Sequence, residues 1–306
     1  MPTRKGSIHL FRLFGVDVFL HWWWFLVAVY EIQSRAGRYS SITWNVFEYL
    51  ALFLIVLMHE FGHALACRQV GGKADRIVLW PLGGVAYVDP PQRPGATLWS
   101  IAAGPLVNVA LMPILSALFF QTVHKGSRDL AELLYMIRWM NQRLFIFNIL
   151  PIYPLDGGQI LRSLLWFVLG RARSLMVATV FGLLGIVGFI GLAIYKHQPW
   201  LGILALYMLM ICWGGLKHAQ DLLKMAKLPR RDGFQCPSCK TAPPIGEYWK
   251  CSNCGQAFDT FQTGAVCPNC RTQFPSTRCL DCGHLHPMNQ WAGASLVPFN
   301  SEIVAK

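Results

Sequence analysis

The sequence predicts an α-helical multi-pass membrane protein of about six spans, with short membrane-associated β-strands and a small soluble tail. Three observations predict it. The chain of 306 residues is 54% hydrophobic and 14% charged, with a mean hydropathy of +0.38, too apolar for a soluble domain. Apolar segments recur along residues 22–215. Eight of the ten cysteines follow residue 235, in four Cys-x-x-Cys pairs. The net charge of +12 does not by itself indicate nucleic acid, because membrane proteins collect Lys and Arg in cytoplasmic loops.

The elements follow in order. The basic start lacks a small-residue cleavage site, so no removable signal peptide is expected. Ile8–Leu13 and Val16–Leu20 flank Gly15 as two short strands. Trp22–Tyr30 begins the first span, its tryptophans suited to a headgroup boundary, with His21 beside them. Glu31–Ser41 is a polar loop, and the second span covers about Thr43–Cys67. Ile77–Trp80 and Val85–Val88, joined through Pro81-Leu82-Gly83-Gly84, form a second strand pair. The third span, about Leu98–Phe120, contains Gly104-Pro105-Leu106-Val107-Asn108, whose buried amide needs a partner. Leu130–Arg143 is helical but mixed, either interfacial or the start of the fourth span. Ser174–Tyr195 and Trp200–Gly215 are the fifth and sixth.

Within the second span lies His59-Glu60-Phe61-Gly62-His63. On a helix, His59 and His63 are one turn apart on one face and can share a zinc ion, with Glu60 beside it as general base. The pattern is short, and by chance alone it is expected in about one chain in a hundred. Ionisable residues are costly at membrane depth, however, and three together there need a reason. Catalytic zinc takes three protein ligands, so a third must come from elsewhere. Leu144–Leu161 is apolar but broken by Pro151, Pro154 and Gly157-Gly158. Non-helical backbone at membrane depth must line a cavity or be buried in protein. Asp156 in this stretch is the expected third ligand. It lies six residues before Arg162, and His59 nine before Arg68, so both sit a short way inside a basic boundary.

Six spans place fifteen Lys and Arg, among them Arg68, Arg162 and Arg231, on one side and five on the other. The bias puts both termini in the cytoplasm, the expected membrane being the plasma (inner) membrane. Residues 1–231 then form the membrane domain and 232–306 a cytosolic tail. In the tail, Cys236, Cys239, Cys251 and Cys254 make one set of thiolates, and Cys267, Cys270, Cys279 and Cys282 another. Each set suits one closed tetrahedral structural zinc, giving a double zinc ribbon. Adjacent pairing of the knuckles is expected in preference to a crossed one. Zinc rather than disulfides implies a reducing compartment.

HEFGH in a span, then GPLVN, then NILPIYPLDGG resembles the motif order of the site-2 protease family of intramembrane zinc metalloproteases. The resemblance covers about residues 7–215. It implies a six-span core, with His59, His63 and Asp156 as zinc ligands and Glu60 as catalytic base. Asn148 matches a family asparagine near the metal and Asn108 that of the GPLVN stretch; both join Glu60 as expected catalytic residues. The resemblance implies hydrolysis of peptide bonds in membrane-spanning helices of regulatory proteins. This chain has zinc ribbons where many members carry a PDZ or cystathionine-synthase-type regulatory domain. The expected partners are membrane-protein substrates, the bilayer and a protein bound by the ribbons. A catalytically silent scaffold is the alternative, but it has no need of Glu60. Lys240, Lys250, Arg271 and Arg278 make no dense basic stripe, which argues against nucleic acid.

Overall fold

Hydrophobic residues that alternate along the first strands and repeat along the first long helix bury one another. In the computed structural model, residues 6–35, 37–80, 83–124 and 126–291 are described. Arg4, Lys5 and Lys125, which entered the charge count, and the expected Pro81-Leu82 connection lie outside them. The chain folds as two units, Met1–Lys217 and His218–Lys306.

The first unit opens with an antiparallel hairpin of β1 (Ser7–Leu13) and β2 (Val16–His21). Then come α1 (Trp23–Ser34) and α2 (Ile42–Gln69). The chain returns as β3 (Lys73–Trp80), parallel to β2, and turns into antiparallel β4 (Gly83–Asp89). The two expected strand pairs are thus halves of one four-stranded sheet, in the order β1-β2-β3-β4. Val16 and Val18 of β2 and Ile77 and Leu79 of β3 face Val56, Leu57, Phe61 and Ala64 of α2 in one core. Period-two residues of the sheet and one stripe of the helix therefore share a dry interface. This sheet leaves β4 as an edge and lays it against the helix that carries His59.

Four further helices follow: α3 (Pro94–His124), α4 (Arg128–Ile149), α5 (Asp156–Tyr195) and α6 (Pro199–Ala226). By length and composition α2, α3, α5 and α6 can each cross a membrane. Helix α1 has 12 residues, a rise of about 18 Å against a hydrocarbon core of about 30 Å. Helix α4 joins the mixed Leu130–Arg143 stretch to the apolar residues after it in one helix. The expected Leu144–Leu161 segment is divided between the end of α4 and the start of α5. Ahead of α2, the Tyr39 hydroxyl donates to the buried Glu48 carboxylate at 2.6 Å, and Arg35 pairs with the same carboxylate. Burial and that carboxylate push the Tyr39 phenol up.

The second unit corrects the expected cysteine pairing. Cys236, Cys239, Cys279 and Cys282 gather in one cluster, and Cys251, Cys254, Cys267 and Cys270 in the other. The first and fourth knuckles embrace the second and third. Sulfur atoms from different knuckles approach to 3.5–3.7 Å. The edge of a tetrahedral tetrathiolate zinc site is about 3.8 Å for Zn–S bonds of about 2.3 Å, so both clusters have the donors and spacing that zinc requires. Loop-closure entropy, which grows slowly with length, favours short loops and hence adjacent pairing. Packing overrides it here. Trp249, Phe258, Phe261 and Trp291 form one aromatic core beneath both clusters. Hairpins β5–β6 (Trp249–Lys250, Ala257–Phe258) and β7–β8 (Ser276–Arg278, Leu285–Pro287) turn the chain back on itself. Arg230 grips Asp281 with two hydrogen bonds, at 2.7 and 3.1 Å, next to Cys282.

The nested pairing has a measurable consequence. Replacing Cys236 and Cys279 together by serine should remove one zinc per chain relative to the unmodified protein, by metal analysis. Loss of two would restore the adjacent pairing.

Candidate active site

Three side chains from two helices converge near the middle of the first unit. His59 and His63 stand one turn apart on α2, with their Nε2 atoms 3.1 Å from each other. Asp156 enters from the first turn of α5, directly after the non-helical Leu150–Leu155 connection that the two prolines enforce. Its Oδ2 lies 3.1 Å from the Nε2 of His59 and 3.4 Å from that of His63. These are the edges of one face of a tetrahedron. For metal bonds of about 2.0–2.1 Å that edge is about 3.3 Å.

The far sides of both rings fix which nitrogens face the centre. The Nδ1 of His59 lies 2.6 Å from the Asn108 Oδ1, and that of His63 lies 2.9 Å from the Ser100 carbonyl. Both partners accept hydrogen bonds, so both Nδ1 atoms carry the proton and both Nε2 atoms present bare lone pairs. Two lone pairs and a carboxylate oxygen thus face one point in a nearly dry site. His59 and His63 are 3% and 6% exposed. Without a cation they repel, and with one they form a ligand set. The residues therefore fit a zinc ion, and the imidazole and carboxylate donors suit that metal. Gly104 of α3 abuts the two rings, where an added methyl group would overlap both. A glycine here lets α3 approach closely enough for Asn108 and Ser100 to reach the histidines.

Glu60 lies beside this triangle and outside it. Its Oε2 accepts a hydrogen bond of 2.8 Å from the Ala86 N–H of edge strand β4, and the side chain is 6% exposed. Asn148, on the last turn of α4, directs its Nδ2 to 3.5 Å from the His59 Nε2. Asn108 touches His59 from behind, on α3. His21 is not in the cluster; its ring lies against Trp80, with centroids 4.2 Å apart.

One residue of the site is absent from the sequence reading. Asn141 of α4 is fully buried. It accepts a 2.8 Å hydrogen bond from the Asn108 Nδ2 and returns one of 2.9 Å to the Asn108 carbonyl. This reciprocal pair fixes the orientation of the Asn108 amide, and with it the oxygen that holds His59. Asn141 and Asn148 are seven residues apart, two turns on one face of α4. That spacing was the available signal, hidden in a stretch whose helical extent was open.

The chain is similar to several known proteins. Residues 47–128 and 124–192 match peptidase family M50. A zinc metalloprotease of Methanocaldococcus jannaschii is 34% identical over 178 residues, covering 58% of this chain and 50% of that protein. Stage IV sporulation protein FB of Bacillus subtilis is 35% identical over 114 residues, 37% of this chain and 38% of that protein. The chain thus spans about half or less of the length of these curated relatives. Among solved structures, the site-2 protease from Methanocaldococcus jannaschii superposes with a TM-score of 0.50 at 26% identity, covering 69% of this chain and 95% of that one. The fold and the arrangement of the site are similar to those of membrane-embedded metallopeptidases. The helical core of the chain resembles peptidase family M50 over residues 47–192, and its fold resembles that of a site-2 protease.

The Asn141–Asn108–His59 chain predicts that Asn141→Ala weakens metal binding at the core by about 10- to 100-fold, the usual effect of losing support behind a ligand. Chelator competition on the purified protein measures it. Unchanged affinity would remove Asn141 from the site.

Proposed function

We propose that this protein is an intramembrane zinc metalloendopeptidase that cleaves membrane-spanning segments of regulatory membrane proteins. The observation that carries the reading is the convergence of two protonation-fixed imidazoles and the Asp156 carboxylate on one point, with Glu60 alongside. His59, His63 and Asp156 hold the metal. Zinc there supplies a Lewis acid that polarises a carbonyl and lowers the pKa of water. Glu60 takes a proton from the attacking water and returns it to the leaving amine. Asn148 offers an amide N–H to the oxygen on which charge develops, and Asn108 keeps His59 in its ligating tautomer.

A helical substrate hides its amides in its own hydrogen bonds and must be extended before cleavage. Strand β4 is a sheet edge, and its Ala86 N–H points at Glu60. A substrate segment added along that edge would be held extended beside the base. The charge bias supports cytoplasmic termini and a site reached from the cytosol. Residues 232–306 then act as a cytosolic module that recruits or gates substrate. Closed four-cysteine clusters leave no coordination position for chemistry.

Glu60→Gln in the full chain, reconstituted with a single-span substrate, should lower cleavage by about 10²-fold or more while the metal content stays at the unmodified level. Substantial turnover by this variant would sink the assignment. Loss of metal with loss of activity would make Glu60 a ligand instead of a base.

A further inference from the structure

Helix α5 bends at Gly170, whose φ of 76° and ψ of 171° are open almost only to glycine. The bend brings two guanidinium groups to one indole. Arg162, one helical turn before Trp166, places its Cζ 5.9 Å from the ring centroid. Arg171, just past the bend, places its Cζ 6.0 Å from the same centroid. Among the described residues Arg162 makes no ion pair with a carboxylate, and its Nε is buried without a hydrogen-bond partner. The charged or titratable groups that reach it are Tyr153 and Arg171, so its charged neighbour is another cation. Two like charges gathered at one half-buried indole favour an anion between or beside them. Arginine forks suit a phosphate in particular, because parallel N–H groups match two of its oxygens.

The same bend is apolar on its open side. Leu164, Phe167, Val168 and Leu169 are all exposed, Val168 to 85%. They belong to a helix apolar enough to cross a membrane. Two guanidinium groups at one indole, bordered by exposed aliphatic and aromatic side chains, fit an amphiphile better than a free ion. A choline or ethanolamine cation would meet the arginines unfavourably, whereas a headgroup with a net negative charge would not.

We propose that Arg162, Trp166 and Arg171 form a binding site for an anionic phospholipid, with the phosphate at the guanidinium groups and the acyl chains along Phe167 and Val168. The site is separate from the metal cluster and does not depend on the proteolytic reading. A lipid held there would brace the bend that follows the helix carrying Asp156.

Native mass spectrometry of the full chain, released from micelles with phosphatidylglycerol or phosphatidylcholine of the same chain length, tests the proposal. The unmodified protein should retain phosphatidylglycerol in preference. Arg162→Gln should lower that retention about tenfold, the effect of losing one charge-assisted fork. Lys196→Gln, an equal charge loss at the other end of α5, should leave it unchanged. Arg162→Lys keeps the charge without the fork and should give an intermediate loss; it serves as the reading if Arg162→Gln does not fold. Equal retention of both lipids, or undiminished phosphatidylglycerol retention in the arginine variants, overturns the site. Displacement of the lipid by an equal concentration of inorganic phosphate overturns the lipid assignment in favour of a simple anion site.

Discussion

The centre of the first unit depends on one unfavourable juxtaposition. Two imidazole lone pairs and a carboxylate oxygen lie 3.1–3.4 Å apart within a largely apolar bundle. Burial of the histidines limits how far water can relieve them. A metal cation at their centre turns this repulsion into attraction. The surrounding architecture then becomes intelligible. Helix α2 supplies the one-turn spacing, and α3 comes close enough through Gly104 to orient the rings. The proline-rich connection delivers Asp156 at the start of α5 instead of mid-helix. The sheet packs on the opposite stripe of α2 and lends an edge to Glu60.

Much of this was legible in the sequence, for identifiable reasons. The His59–His63 spacing is a local helical property, and ionisable groups in an apolar run stand out against their surroundings. Asp156 was legible because Pro151 and Pro154 forbid a regular helix where the segment is still apolar. Strands β1 to β4 showed in their turn residues, but not their union. The parallel pairing of β2 with β3 spans two helices, and no local pattern encodes it. Asn141 escaped because its role is a tertiary one: its partner is Asn108, 33 residues away. The cysteine pairing went the same way. Knuckle spacing specifies that four thiolates gather, whereas the aromatic core of Trp249, Phe258, Phe261 and Trp291 decides which four.

The two units arrange their candidate metal donors in opposite ways. In the tail, eight thiolates close two clusters completely, as suits small units with little core of their own. In the membrane unit, three donors mark one face of a tetrahedron, one fewer than a closed site, with the Asn148 amide 3.5 Å from one of them. Closed coordination suits structure and open coordination suits chemistry. The chain thus combines an open three-donor site in an apolar helical unit with two closed four-cysteine clusters in the other unit.

The central claim is that His59, His63 and Asp156 share one zinc ion. Anomalous diffraction from crystals of the full chain, at energies on either side of the zinc edge, tests it most directly. The account predicts a zinc peak within about 2.0–2.2 Å of the His59 Nε2, the His63 Nε2 and an Asp156 oxygen, apart from those at the cysteine clusters. A zinc-loaded protein with no peak there, or with a peak held by the histidines and a residue other than Asp156, would contradict it.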